Sequence, residues 1–259
     1  MTGRQWASGI GGLLVCLALW QVLVGSGFVE YDLLPSPWTI AGGLATMVTE
    51  PAFAVEVGHT LAATLIGWLA AVLAGTGLGA VLGTSPLARR YCLASIEVLR
   101  PLPAVAFVPV ALLLFGFSLQ MELLVIVAPA LWPALVNTME GFAGVPQRLT
   151  DVAATFHLKR STRLLRVYLP AAAPAVVVGM RLSLSLALVM AVVAEMVGNP
   201  EGLGYALVRE QQALHPDLMF GYVLVIGLLG MLLNGLLVWG SRLALPGLFR
   251  RPVARWDSA

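Results

Sequence analysis

Six apolar stretches, at about residues 8–28, 58–84, 91–116, 121–139, 175–197 and 218–240, follow one another along the chain. A helix that crosses a bilayer needs about 20 predominantly apolar residues, and these stretches have that length. Composition points the same way. Hydrophobic residues make up 59% of the chain and charged residues 11%, against about 25% charged in a soluble domain. So few charges cannot cover a water-facing surface, and the bilayer is the solvent. The expected fold is an all-α integral membrane protein with about six transmembrane helices. The first stretch is longer than the apolar core of about 7–15 residues in a secretory signal and reads as a span.

Lys and Arg set the orientation. With the N-terminus in the cytoplasm, twelve fall inside: Arg4, Arg89, Arg90, Arg148, Lys159, Arg160, Arg163, Arg166, Arg242, Arg250, Arg251 and Arg255. Only Arg209 falls outside, while Arg100 and Arg181 lie near inner span ends where they can snorkel. Both termini are then cytoplasmic. The outer connections carry Glu30, Asp32, Glu50 and Glu56, then Glu201, Glu210 and Asp217. The run after Pro35-Ser36-Pro37-Trp38 reads as an interfacial helix with Trp38 at headgroup level. Three segments result. Residues 1–57 hold the first span and an outer interfacial segment. Residues 58–245 form a core that includes a cytoplasmic elbow at 140–174. Residues 246–259 are a basic tail.

Pro101, Pro103 and Pro109 interrupt the third stretch. A broken helix survives in a membrane where protein or a water-filled cavity satisfies the freed backbone groups, so these prolines are candidates for a pathway, or for a packing kink. Asn137 and Glu195 are further pathway or gate candidates, because polar groups inside spans are costly. Glu195 is also open to reading as a solvated helix end. Gly67, Ala71, Gly75, Gly79 and Gly83 recur every fourth residue. Such a stripe lets two helix backbones approach closely. Cys16 and Cys92 read as small hydrophobes, and three histidines without a Cys/His cluster give no expectation of a metal site.

Residues 140–174 form the one long polar connection on the inner side. Pro146 suits a helix start, and the helix is expected to run to about Thr155. His157 falls at a chain reversal. Ser161 or Thr162 can cap a second short helix, which Pro170 and Pro174 would stop. Charge alone would suit a loop held to anionic lipid, but capped, proline-bounded helices suggest a docking elbow.

The elbow resembles the EAA coupling motif of ABC-importer permeases, which reads Glu-Ala-Ala, three residues, Gly, nine residues, Ile, one residue, Leu-Pro. Asp151, Val152 and Ala153 stand for Glu-Ala-Ala. His157 stands for the Gly, and Val167, Leu169 and Pro170 for the end. His in place of Gly in a left-handed turn costs of order 1 kcal/mol. Five further pieces resemble the nitrate/sulfonate/taurine/bicarbonate-type permeases: Leu99-Arg100-Pro101-Leu102-Pro103, Asn137-Thr138, Gly179-Met180-Arg181-Leu182, Ala194-Glu195-Met196 and Gly202-Leu203-Gly204-Tyr205. The resemblance spans about residues 35 to 240.

The resemblance implies the transmembrane subunit of a bacterial inner-membrane importer. Asp151, Val152, Ala153, His157, Val167, Leu169 and Pro170 would couple it to its ATPase. Its partners would be two ATP-binding subunits, a second permease copy, a solute-binding protein outside, and membrane lipid; nothing points to nucleic acid. No Gly-rich loop ending Gly-Lys-Ser/Thr is present, so no cofactor is expected in this chain, and ATP and Mg²⁺ would sit on the partner ATPase. The solute would be a small anion such as a sulfonate, taurine or nitrate, or else a thiamine-precursor pyrimidine or aromatic carboxylate. Two other readings stay open: an ATP-independent carrier or channel, and a scaffold recruiting a soluble partner. An acidic relay along the spans would favour the carrier, and none is visible.

Overall fold

A computed structural model describes residues 3–26 and 33–244, without the side chains of residues 3–8, 10, 13 and 160. The expectations on Arg4, Glu30, Asp32 and Arg160 as side chains, and on the tail with Arg250, Arg251 and Arg255, lie outside the described residues. Among the described residues the chain is helical and no strand forms.

Proline sets where many helices begin. Helix α1 spans Gly3–Gly25. Pro37, Pro51 and Pro86 open α2 (Pro37–Thr49), α3 (Pro51–Thr84) and α4 (Pro86–Leu99). The first helical position suits proline, because the N–H it lacks has no intrahelical partner there. Ser36 and Ser85 cap α2 and α4 by accepting from the Thr39 and Ala88 amides. Helix α2 is the short helix expected after Pro35, and its Trp38 is 82% exposed.

The third apolar stretch is not one straight span. Helix α4 ends at Leu99, a 3₁₀ turn covers Ala104–Phe107, and α5 spans Val108–Phe115. The chain bends by 82° between the two helical pieces. Pro101 and Pro103 occupy the bend and Pro109 the start of α5, where missing amide donors cost least. Four continuous helical segments are long and apolar enough to cross a bilayer: Pro51–Thr84, Leu119–Ala143, Ser161–Gly198 and Pro216–Ala244. The bent pair makes a fifth if counted as one span, and α1 carries a shorter apolar segment, Leu14–Gly25.

Three helices make the core: α3, α6 (Leu119–Ala143) and α9 (Leu169–Gly198). A Cβ at Gly75 would lie 2.8 Å from Leu131 O, and one at Gly83 would lie 2.6 Å from Met139 O. Gly67 faces Ile126 and Gly79 faces Leu135 and Thr138, so one face of α3 lies backbone-close on α6. On the other side of α6, Gly179 of α9 meets Pro133 O and Asn137. Helix α6 carries Pro129 and Pro133 in its interior. Proline removes the helical donor to the carbonyl four residues back, and beside these breaks Ser183 Oγ of α9 donates to Ala130 O at 2.6 Å. Trp68 Nε1 of α3 donates to Met180 O at 3.0 Å, tying the third pair.

Helix α10 (Gly202–Gln212) and α11 (Pro216–Ala244) close the bundle. Helix α2 lies on α11, with Met47 buried against Gly221.

Candidate functional site: the elbow and the polar end of the bundle

The elbow joins the two central helices, α6 and α9. Helix α7 spans Gln147–Thr155, one residue beyond Pro146, which takes the cap position. Its end is a Schellman closure. The Leu158 amide donates to Ala153 O at 3.1 Å and the His157 amide to Ala154 O at 2.9 Å. His157 sits between them at φ 49°, in the left-handed region. Glycine adopts that conformation without the Cβ penalty of about 1 kcal/mol. His157→Gly is therefore expected to strengthen the closure, raising hydrogen-exchange protection of the Leu158 amide about 5-fold. Unchanged protection would mean the His side chain compensates for its own strain.

The second half of the elbow is not a separate helix. A turn at Arg160–Arg163 (α8) passes through a π-helical turn at Leu164–Tyr168 directly into α9. Ser161 and Thr162 lie inside this helical run, and Pro170 and Pro174 do not stop it. The π turn explains this for Pro170. Its wider loop, with the Leu169 amide bonded to Leu164 O, relaxes the place where the Pro170 ring would meet the preceding turn. Tyr168 stacks on Phe142 of α6 with ring centroids 6.3 Å apart, and Arg163 Nη2 donates to Tyr168 OH at 3.3 Å. The elbow is thus tied back to α6.

Its residues divide by exposure. Ala153 is 1% exposed, on the inner face of α7. Asp151 and His157 are exposed, and Asp151 Oδ1 accepts from Gln147 Nε2 at 3.0 Å. Val152, Leu169 and Pro170 are exposed, and Val167 is half-buried. Two residues that the motif does not name stand out. Phe156 is 73% exposed and Leu165 61%, beside Lys159 and Arg166. Phe156 thus presents an exposed aromatic ring at the end of α7.

The opposite end of the bundle is polar and buried. Glu195 is 1% exposed, so it is not a solvated helix end. Its Oε2 accepts from the Gly204 amide at 2.8 Å, and Thr60 Oγ1 of α3 accepts from the Leu203 amide at 2.9 Å. Helix α10 has no side-chain cap of its own. Two of its free N-terminal donors are satisfied from α9 and α3 instead, with a carboxylate at the positive end of the helix dipole. Gly202 and Gly204 make this possible. Gly202 is left-handed at φ 89°, a Cβ there would overlap the Glu195 carboxylate, and one at Gly204 would lie 2.8 Å from Glu195 Cβ.

Arg209 fastens the other side of α10. Its Nη1 lies 3.1 Å from Glu56 Oε1 of α3 and its Nε 2.9 Å from Glu210 Oε1. Tyr222 OH of α11 donates to Glu56 Oε2 at 2.8 Å, and His215 Nδ1 lies 3.1 Å from Glu210 Oε2. Burial opposes ionisation of both Arg209 and Glu210. The charge pairing wins: hydrogen bonds from His215 and Arg209 hold the Glu210 carboxyl below its ordinary range, and Glu210 and Glu56 hold Arg209 protonated. The one Arg assigned to the outer side is thus a brace among three helices.

Of the pathway candidates, Glu195 belongs to this polar end. Asn137 donates its Nδ2 to Pro133 O of its own helix at 2.8 Å. Pro101 and Pro103 are exposed at the α4–α5 bend, beside a 450 Å³ cleft lined by Leu99, Leu102, Phe107, Pro129, Trp132 and Pro133. Pro109 lies apart from it on α5. Sequence reasoning does not find His59, Glu122 and Asn199. Glu122 is fully buried at the start of α6, and both ring nitrogens of His59 meet carboxylates. The three are 63 to 140 residues apart, so no spacing pattern joins them.

The described helices define a multi-span membrane protein whose two central helices are joined by one compact elbow. The family model described as "Binding-protein-dependent transport system inner membrane component" matches residues 63–250, and the chain belongs to this family. It is 31% identical over 233 residues to the aliphatic sulfonates transport permease protein SsuC of Bacillus subtilis, covering 89% of this chain and 84% of that one. It is 30% identical to the nitrate import permease protein NrtB of Synechococcus elongatus (90% of this chain, 88% of that one). It is 27% identical to the bicarbonate transport system permease protein CmpB of the same species, covering 92% of each. A chain of the inward-facing MetNI methionine ABC transporter has the same fold. The TM-score is 0.64 at 18% identity, over 78% of this chain and all of that one. The protein is a multi-pass inner-membrane permease subunit of an ABC importer, a transport component that works with an ATPase and a binding protein.

Proposed function

We propose that two copies of this chain form the translocation unit of an importer for a small anion, with both termini in the cytoplasm. Two ATPase subunits would dock on the elbows, and a solute-binding protein on the opposite face. The chain itself would hydrolyse nothing; ATP and Mg²⁺ would belong to the ATPase. The anion reading rests on the relatives named for sulfonates, nitrate and bicarbonate, three small anions.

The observation that carries the mechanism is the position of the elbow. It links α6 and α9, which pack on each other and on α3, α6 through the glycine stripe. A displacement of the elbow therefore moves the core helices rather than a peripheral loop. ATP-driven approach of two ATPases would carry the elbows with them and switch the paired bundles between two arrangements, a rigid-body switch biased by nucleotide. Asp151, Val152 and His157 would face the ATPase groove. Ala153, Val167, Leu169 and Pro170 would keep the elbow rigid.

The test is co-purification of the detergent-solubilised permease with its ATPase. Wild type is expected to hold the ATPase. Asp151→Arg should weaken it by changing the docking face, and Ala153→Trp by overpacking the buried face of α7. Undiminished binding in both variants would place the joint elsewhere on the chain.

A further inference from the structure

At the end of the bundle opposite the elbow, one ligand atom each of His59, Glu122 and Glu195 lies within 4.8 Å of the other two. They come from α3, α6 and α9, so the cluster sits where the three core helices meet. We propose that these residues bind a divalent transition-metal ion, which clasps the three helices together. The proposal is independent of the coupling role assigned to the elbow.

Proton bookkeeping carries the argument. His59 Nδ1 lies 2.9 Å from Glu201 Oε2, and Nε2 lies 3.1 and 3.2 Å from the two oxygens of Glu122. A neutral imidazole has one N–H. If Nδ1–H donates to Glu201, the Nε2 lone pair faces the carboxylate lone pairs of Glu122, which is repulsive unless a donor such as the Asn199 amide, 3.2 Å away, or a cation lies between them. A proton there makes an imidazolium, one positive charge against two buried carboxylates, Glu122 at 0% and Glu195 at 1% exposure. A divalent ion balances both. Buried charges are paired or coordinate metals, and the described Arg209 is engaged elsewhere with Glu56 and Glu210.

A second observation is independent of the first. Glu195 uses Oε2 on the Gly204 amide, while its buried Oε1 has no hydrogen-bond partner. A buried carboxylate oxygen left without a donor is accounted for if it ligates an ion. The arrangement also has the outer shell that metal-bound histidines carry: a carboxylate, Glu201, on the far ring nitrogen. Asn199 completes the wall. Its amide nitrogen contacts Glu122 Oε1 and lies 3.2 Å from His59 Nε2. Turning that amide by 180° would present its oxygen to the ion instead. One imidazole with two carboxylates suits zinc and its neighbours rather than calcium or magnesium, which prefer all-oxygen sites. His59 is 19% exposed, which leaves the ion a way in.

The test uses full-length permease in detergent, purified by a tag without histidine and stripped with a chelator, then dialysed against micromolar zinc. Bound zinc is counted by mass spectrometry, and the unfolding midpoint is followed by tryptophan fluorescence. Wild type is expected to hold about one zinc per chain and to unfold at a higher temperature with zinc than without. His59→Gln and Glu122→Gln should lose both effects. Glu201→Gln keeps the size of an exposed side chain that meets the imidazole, so folding should be spared; its zinc affinity should fall about 10- to 100-fold. Zinc content and midpoint that are the same in wild type and Glu201→Gln, or no zinc-dependent rise in wild type, would overturn the proposal and leave a proton holding the cluster.

Discussion

Gly79→Leu is expected to destabilise the bundle by about 3 kcal/mol, the upper end of the range for overpacking. A Cβ at Gly79 would lie 2.5 Å from Leu135 O, 2.8 Å from Thr138 Cβ and 3.1 Å from the Met139 amide nitrogen. Two of these neighbours are backbone atoms of α6 and cannot rotate away, so the helices must separate along the whole α3–α6 seam. Hydrophobic burial does not drive helix association within lipid; van der Waals packing does, and it falls steeply with separation. Gly77 provides the control. It lies on the same helix two residues away, and nothing stands within 4 Å of a Cβ built there. Gly77→Leu should change stability by less than about 0.5 kcal/mol. Thermal unfolding midpoints in one detergent decide it, and equal losses in both variants would refute the close-contact account.

The second large effect is functional. Phe156→Asp is expected to weaken ATPase association about 30-fold, the loss of an aromatic anchor worth about 2 kcal/mol. In proteoliposomes with the complete importer, solute uptake should fall to background while the ATPase subunits still hydrolyse ATP at their own rate. Folding should be unaffected, because Phe156 is 73% exposed and the Schellman closure of α7 uses only its backbone. Normal uptake in this variant would remove Phe156 from the docking face. A matching loss in unfolding midpoint would show instead that its ring supports the elbow.

The difference between these residues shows what a sequence can reveal. Gly79 is legible because a small residue at every fourth position is a local pattern, and a helix puts every fourth residue on one face. Phe156 is not legible as an exposed side chain. In one dimension it is one more apolar residue in an apolar chain, and only the end of α7 turns it outward. His157 lies between the two. The motif register marks it as a departure, but the left-handed φ and the closure around it are tertiary facts. Likewise Pro101, Pro103 and Pro109 announce a break in the third stretch, yet not its 82° bend. Pro170 and Pro174 suggest a stop, yet the helix runs through both, and the π turn eases it past Pro170.

The sequence by itself determined the solvent, the helical class, the close seam between two helices, and the place of the elbow. Those properties follow from composition, local periodicity and short motifs, which are read within a few turns of helix. The tertiary structure alone decided that Glu195 caps a different helix, that Arg209 braces three, and that His59, Glu122 and Glu195 converge on one point. Those contacts join residues up to 153 positions apart. The energy of a buried charge depends on what stands beside it in space, which no local pattern records.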